Sequence, residues 1–291
     1  MNSGDMIGMF ILHTGSISHK QQIILSLLCA CLSLLLFTPT GRGEAAPVQL
    51  SLWNPIQLYN DDLDIKGIRI NLLYGSNRNV CGLDIGLINH VAHCCWGAQM
   101  GALLNDAGFF NEQDVLSRMT GCQLSLAMNS AKNINGLQAG ILANLVRADM
   151  VGLQLGCFLG NVCMGNGHGV QLGPANITLK NITGAQIAGG IIIAANIAEN
   201  VHGVQASVAG VSLNKADGIC GLQFNIGLIG NNAVDVDGAQ IAATCNLADH
   251  VRGIQVGLVN YCQSIVGLQI GAINIIMDGG VPVFPVVNAR F

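Results

Sequence analysis

Hydrophobic and polar positions follow one short pattern along most of the chain. In "VGLQIGAIN" (266–274), Leu268, Ile270 and Ala272 alternate with Gly267, Gln269 and Gly271. That period of two predicts a strand with an apolar face and a Gly-Gln-Gly face. Close variants stand at "GLDIGLIN" (82–89), "GLQAGILAN" (136–144) and "GIQVGLVN" (253–260). The residues that define the unit are thus Gly82, Asp84 and Asn89, then Gly136, Gln138 and Asn144, Gly253, Gln255 and Asn260, and Gly267, Gln269 and Asn274. A helix is a poor alternative, because each interior glycine would cost it about 1 kcal/mol. Asparagine closes each copy where the strand should end, and its tolerance of left-handed backbone predicts a turn there.

A Gly-x-Gln step, with Arg69 or Asp84 in place of Gln in the first two copies, begins thirteen times between Gly67 and Gly267. The intervals run from 14 to 19 residues, apart from one of 24 that holds the insertion "DAGFFNEQDVLSRM" (106–119), expected to be a protruding loop or short helix. Such a period overrides local guesses about secondary structure. Two all-β architectures fit the unit. In a parallel β-solenoid of about thirteen short coils, Leu268, Ile270 and Ala272 would point into a narrow core while equivalent Gln and Asn side chains form ladders along the axis. In a transmembrane antiparallel barrel, the same aliphatic face would meet lipid.

The solenoid is the expected fold. Aromatics are 4% of the chain, too few for the two girdles of a barrel. The spacings do not alternate between short turns and long loops, and Pro282 and Pro285 would break a closing strand. Thirteen coils at about 4.8 Å give a rod roughly 60 Å long. The expected organisation is a signal peptide (1–45), an N-terminal cap or lead-in (46–66), the tandem repeats (67–276) and a C-terminal cap (277–291).

Composition adds location. The chain is 51% hydrophobic and 10% charged, with mean hydropathy +0.51, against about a quarter charged residues in ordinary soluble domains. The run "IILSLLCACLSLLLF" (23–37), preceded by Lys20 and followed by Gly43 and Ala45 at a small-residue cleavage site, has the layout of a secretory signal peptide. Removing residues 1–45 leaves ten basic and fourteen acidic residues, still −4, with no basic patch to hold nucleic acid. No later stretch is long and apolar enough for a helical membrane span. The expected location is therefore export, to the cell surface, outer membrane or periplasm, with an unknown surface or envelope partner and outer-membrane association as one option.

With these residues in hand, the chain resembles the bacterial surface-repeat proteins built from tandem V-x-G-L-Q-x-G-x-x-N units, the spirochaete-type surface repeat family. The resemblance covers residues 48–291, including the lead-in "GIRINLLYGSNRNVCGLDIGLINHV" (67–91). It implies export and a surface or envelope location, and brings no catalytic residues with it. Copies such as "GAQIAGGIIIAAN" (184–196) depart from the unit.

Candidate chemistry is sparse. In "HVAHCCW" (90–96), His90, His93, Cys94 and Cys95 are conceivable zinc or copper ligands. Adjacent cysteines on extended chain point opposite ways, however, and no second ligand pair stands at a metal spacing. Nine cysteines follow the leader, expected mainly as small core hydrophobes with one or two bridges. "GNGHG" (165–169) lacks the Lys-Ser/Thr of a phosphate loop, and "DDLD" (61–64) and "DVDG" (235–238) lack the spacing of a calcium loop. Glu112 and Asp114 in the insertion have no visible catalytic partners, and no Ser, His and carboxylate converge in the pattern. The expected function is a non-catalytic structural scaffold or adhesion-like binding module without a cofactor; the alternative is an outer-membrane pore.

Overall fold

The computed structural model describes residues 45–291 apart from 112, 113, 115 and 280. The signal-peptide reading and Glu112 therefore fall outside the described residues. Within them the chain is all-β, wound as a parallel β-solenoid of about 14 turns. The lead-in already belongs to the stack: β1 (Ala46–Trp53) pairs with the tiny antiparallel β2 (Ile56–Gln57) on one side and in parallel with β3 (Ile65–Asn77) on the other. Then come β4 (Val80–Val91), β5 (Cys94–Ala107), β6 (Arg118–Ser125) and β7 (Met128–Ala131).

From β6 as far as Ala242 each turn holds two strands, one carrying Gly-x-Gln and one carrying the repeat Asn. Each pairs in parallel with its equivalent one turn on, Gly with Gly, Gln with Gln and Asn with Asn. The long strands β3 to β5 near one end, and Cys245–Val256 and Val259–Ile276 near the other, run through both walls without interruption. This topology excludes the barrel, in which sequential neighbours would pair antiparallel around a closed wall. Antiparallel pairing is confined to the two ends, β2 on β1 and the last strand, Val283–Arg290, on Val259–Ile276. Pro285 sits in that last strand, at an edge, where the missing N–H is tolerated.

The expected orientation of the faces is inverted. Gln99, Gln138, Gln171, Gln255 and Gln269 have no solvent exposure, whereas Ile85, Met100, Ile187, Ile254 and Ile270 on the alternate face are exposed. Leu268 is half-buried and Ala272 exposed, so the aliphatic face that sequence placed inside lies outside. The apolar share of the core comes from two other columns. One lies two residues before the repeat Gly (Val80, Cys95, Met119, Ile134), the other two after the repeat Asn (Val91, Ala107, Ala131, Val146).

The asparagines are not turn residues either. Each is buried on the second strand, and Val286 is the one non-glycine with positive φ among the described residues. The bends fall between the strands, at 141–142 and 147–148 in one such turn, while Gly136, inside a strand, has φ of 143°, and a Cβ there would collide with the carbonyl oxygen of Gly121 one turn below. An L-residue would meet both the wrong dihedral and the neighbouring backbone.

The insertion is shorter than its sequence limits. Asp106 and Ala107 finish β5, and Arg118 and Met119 open β6. The described residues between them form turns and irregular chain with no helix.

Candidate functional site

The interior is two hydrogen-bonded ladders. Each Gln Nε2 from Gln123 to Gln269 donates to the Oε1 of the Gln one turn earlier at 2.7–3.0 Å. In most turns the second amide hydrogen crosses the core to a carbonyl of the opposite wall, as from Gln123 to Ser130 O and from Gln269 to Ile275 O. The Asn ladder runs the other way: Nδ2 of Asn71, Asn89, Asn105, Asn129 and their successors donates to the Oδ1 of the next turn at 2.8–2.9 Å. Its second hydrogen goes to a backbone carbonyl of that next turn, such as Leu155 O for Asn144. These fixed carbonyls decide which amide end points where, because an oxygen cannot face an oxygen. Buried amides so paired avoid the desolvation cost of 1–3 kcal/mol that each unpaired group would carry, in order-of-magnitude terms.

The repeat residues singled out from sequence therefore divide into two roles. Gly82, Gly136, Gly253 and Gly267 stack in register at a mid-strand position of positive φ. Gln138, Gln255, Gln269, Asn89, Asn144, Asn260 and Asn274 are rungs. Asp84 ends the Gln ladder: its Oδ2 accepts from Gln99 at 3.0 Å, and its two oxygens accept from Arg69 Nε and Nη2 at 2.7 and 2.6 Å. Both partners are fully buried.

The metal candidates separate. Cys95 is a fully buried core residue, and burial drives its thiol well above the ordinary value. Cys94 faces outward with Sγ near Leu116 O. His93 Nδ1 bonds Asp114, which its partner His93 holds below the usual carboxylate range. His90 Nδ1 bonds Asp106 at 2.8 Å. No group of three metal-ligating side chains occurs among the described residues. The insertion lies along the edge of the next two turns, with Lys132 Nζ on Asn111 O and Arg147 Nη1 on Phe109 O.

One constellation escaped the sequence reading. Buried Asp106 accepts from Ser130 Oγ at 2.6 Å and bonds His90 at 2.8 Å, bringing Ser, Asp and His together. The carboxylate stands between the other two, so the hydroxyl is bonded to Asp106 rather than to a base, and the geometry is not that of a nucleophile. The signal was available: His90, Asp106 and Ser130 each directly follow a ladder Asn.

All nine cysteines among the described residues are free thiols, so the expected one or two bridges are absent there. Burial pushes Cys163 to about 11 and Cys262 to about 12. In the "DDLD" run, Asp64 bonds Arg78 at 2.9 Å, and that bond holds its carboxyl low. Its charge is met from within the chain.

The C-terminal half carries an open groove of about 1040 Å³. Along it His202, Cys220, Asp237 and Arg252 occupy one column on successive turns. An exposed thiol thus lies between an imidazole and a carboxylate. No hydrogen bond joins these three among the described residues, so no base is positioned to take the thiol proton. No helix among the described residues is long and apolar enough to cross a membrane. Compared with known proteins, the chain matches no family model, no curated protein and no solved structure.

Proposed function

We propose that the chain is an exported surface or envelope protein of non-catalytic type, whose solenoid serves as a rigid scaffold presenting its outer walls to a binding partner. The observation that carries this reading is where the polar side chains go. The glutamines and asparagines that could have formed a site are committed to one another along the axis, leaving repeated, near-equivalent positions on the outside. The leader at 23–37 and the resemblance of the unit to exported surface repeats support the location.

The test is expression of the full chain in a Gram-negative host, with the N-terminus of the product determined by mass spectrometry and its exposure probed by protease added to intact cells. Export predicts a product that begins near Ala46 and is cleaved from outside or released to the periplasm. A cytosolic product retaining residues 1–45 would overturn the reading.

A further inference from the structure

The two long edges of the rod are chemically opposite. In every turn from Gly97 to Asn274, the segment from the repeat Gly to the repeat Asn contains no Asp, Glu, Lys or Arg. The exposed charges, among them Arg78, Asp149, Lys180, Glu199, Asp217 and Asp249, sit on the other edge, where the chain turns from the Asn strand to the next Gly strand. The charge-free edge ends in exposed aliphatic and aromatic tips: Leu126, Phe158 at 68%, Ile191 at 97%, Leu228 at 72% and Leu258. A strip ~60 Å long and ~15 Å wide would hold ~900 Å² of apolar surface, above the few hundred Å² usual for the largest patch on a soluble monomer.

We infer that this aliphatic edge docks on the hydrocarbon of a lipid layer, with the rod lying along the surface and its charged edge in water. Three observations choose lipid. First, backbone at the tips is bonded from turn to turn: Phe158 N–H to Ile141 O at 3.0 Å, Leu159 N–H to Leu142 O at 2.8 Å, Val211 N–H to Ile192 O at 2.8 Å and Ile273 N–H to Leu258 O at 3.0 Å. Polar backbone can enter hydrocarbon only when it is satisfied in this way. Second, charge is segregated to the far edge, the arrangement of interfacial amphipathic elements, whose apolar face sinks about 5–10 Å. Third, the tips are uneven. Gly-to-Asn segments of 8 to 13 residues and the exposed Ile191–Ile193 make a ragged ridge, which a fluid can follow but a second rigid rod would match poorly. The inference goes beyond the scaffold reading and rests on the fold, not on export.

The test places photoreactive p-benzoylphenylalanine at position 158, 191 or 249 of the full chain. Each protein is mixed with phosphatidylcholine vesicles at high salt, irradiated, and its adducts are read by mass spectrometry. Phe158 and Ile191 are mostly exposed and have little packing to lose, and Asp249 reports the opposite edge. The expected result is lipid adducts at 158 and 191 and none at 249. Absence of lipid adducts at 158 and 191, or equal labelling at all three positions, would overturn the inference. Crosslinks from 158 and 191 to another copy of the chain would overturn it too, assigning the edge to self-association. Leader processing and cell-surface exposure are read separately, so failure here leaves the scaffold reading standing or falling on its own test.

Discussion

At the N-terminal end of the rod the glutamine ladder runs into a charge pair, while at the C-terminal end its last acceptor has no partner. Gln99 donates into Asp84, a side chain that accepts on every side, and Arg69 neutralises it from below. Gln269 Oε1 is buried without a hydrogen bond, and so is Asn71 Oδ1 at the start of the oppositely directed Asn ladder. Each ladder therefore satisfies its donor end and leaves its acceptor end open. The donor end of the Asn ladder is met by Phe284 O of the terminal strand at 3.2 Å. An unmet N–H is the costlier defect, since a carbonyl left alone is tolerated more often. Two ladders of opposite direction also keep amide dipoles from summing along the axis. The departures from Gln in the first two copies thus mark the place where a directional chain of hydrogen bonds must stop.

The sharpest way to break this contrast is to strand the charge. Arg69→Met leaves a buried carboxylate unpaired and should cost about 3–5 kcal/mol in denaturant unfolding. Replacing both residues with Gln should recover most of that loss, because it extends the ladder by two ordinary rungs. In mid-ladder, Gln171→Leu removes the acceptor for Gln186 and Thr178 and the donor to Gln154; about 2–3 kcal/mol is expected, from at least two unmet groups. Gln269→Leu should cost less, since it takes a donor from Gln255 Oε1 and Ile275 O but strands no buried donor, its own oxygen being already unpaired.

Smaller effects come from pH and from the edge. Cys163 and Cys262 have thiols raised to about 11 and about 12 from 9.0, and Cys95 is raised further. A raised folded value means that stability is fully present below pH 9 and is lost as pH climbs through the folded values. Unfolding followed between pH 8 and 11 should show that loss, and a Cys95→Ala/Cys163→Ala/Cys262→Ala variant should flatten it. At pH 8 a soluble thiol reagent should modify the exposed Cys81, Cys157 and Cys220 and leave the three buried thiols until the protein unfolds. Asp114→Asn, which weakens the half-buried pair with His93, should shift stability by about 1 kcal/mol or less.

The coil, its period and the ladders were legible in the Gly-x-Gln spacing, because a repeat that cannot bury its face alone must stack. The direction of the faces was not. Alternation says that Leu268 and Ile270 share a side and that Gly267 and Gln269 share the other; it does not say which side is inside. The usual preference for aliphatic interiors gave the wrong answer, because a glutamine with every amide group paired loses its objection to burial. A clue lay in parity: Val80, Gly82 and Asp84, or Ile134, Gly136 and Gln138, fall on one face, so the ladder side carries its own aliphatic column. The putting together of His90, Asp106 and Ser130 needed the register of the Asn column, which the 24-residue interval obscured. The metal cluster failed for a local reason: Cys94 and Cys95 stand on opposite faces of β5.

The fold is a rod with amides inside and aliphatic side chains outside. It is tested most directly by NMR measurement of hydrogen exchange at the glutamine and asparagine side-chain amides of the folded protein. Slow exchange is expected for the rungs from Gln99 to Gln255 and from Asn89 to Asn260, in contrast to exposed asparagines such as Asn60. Rapid exchange throughout the glutamine set would place those side chains in water and return the leucines and isoleucines to the core.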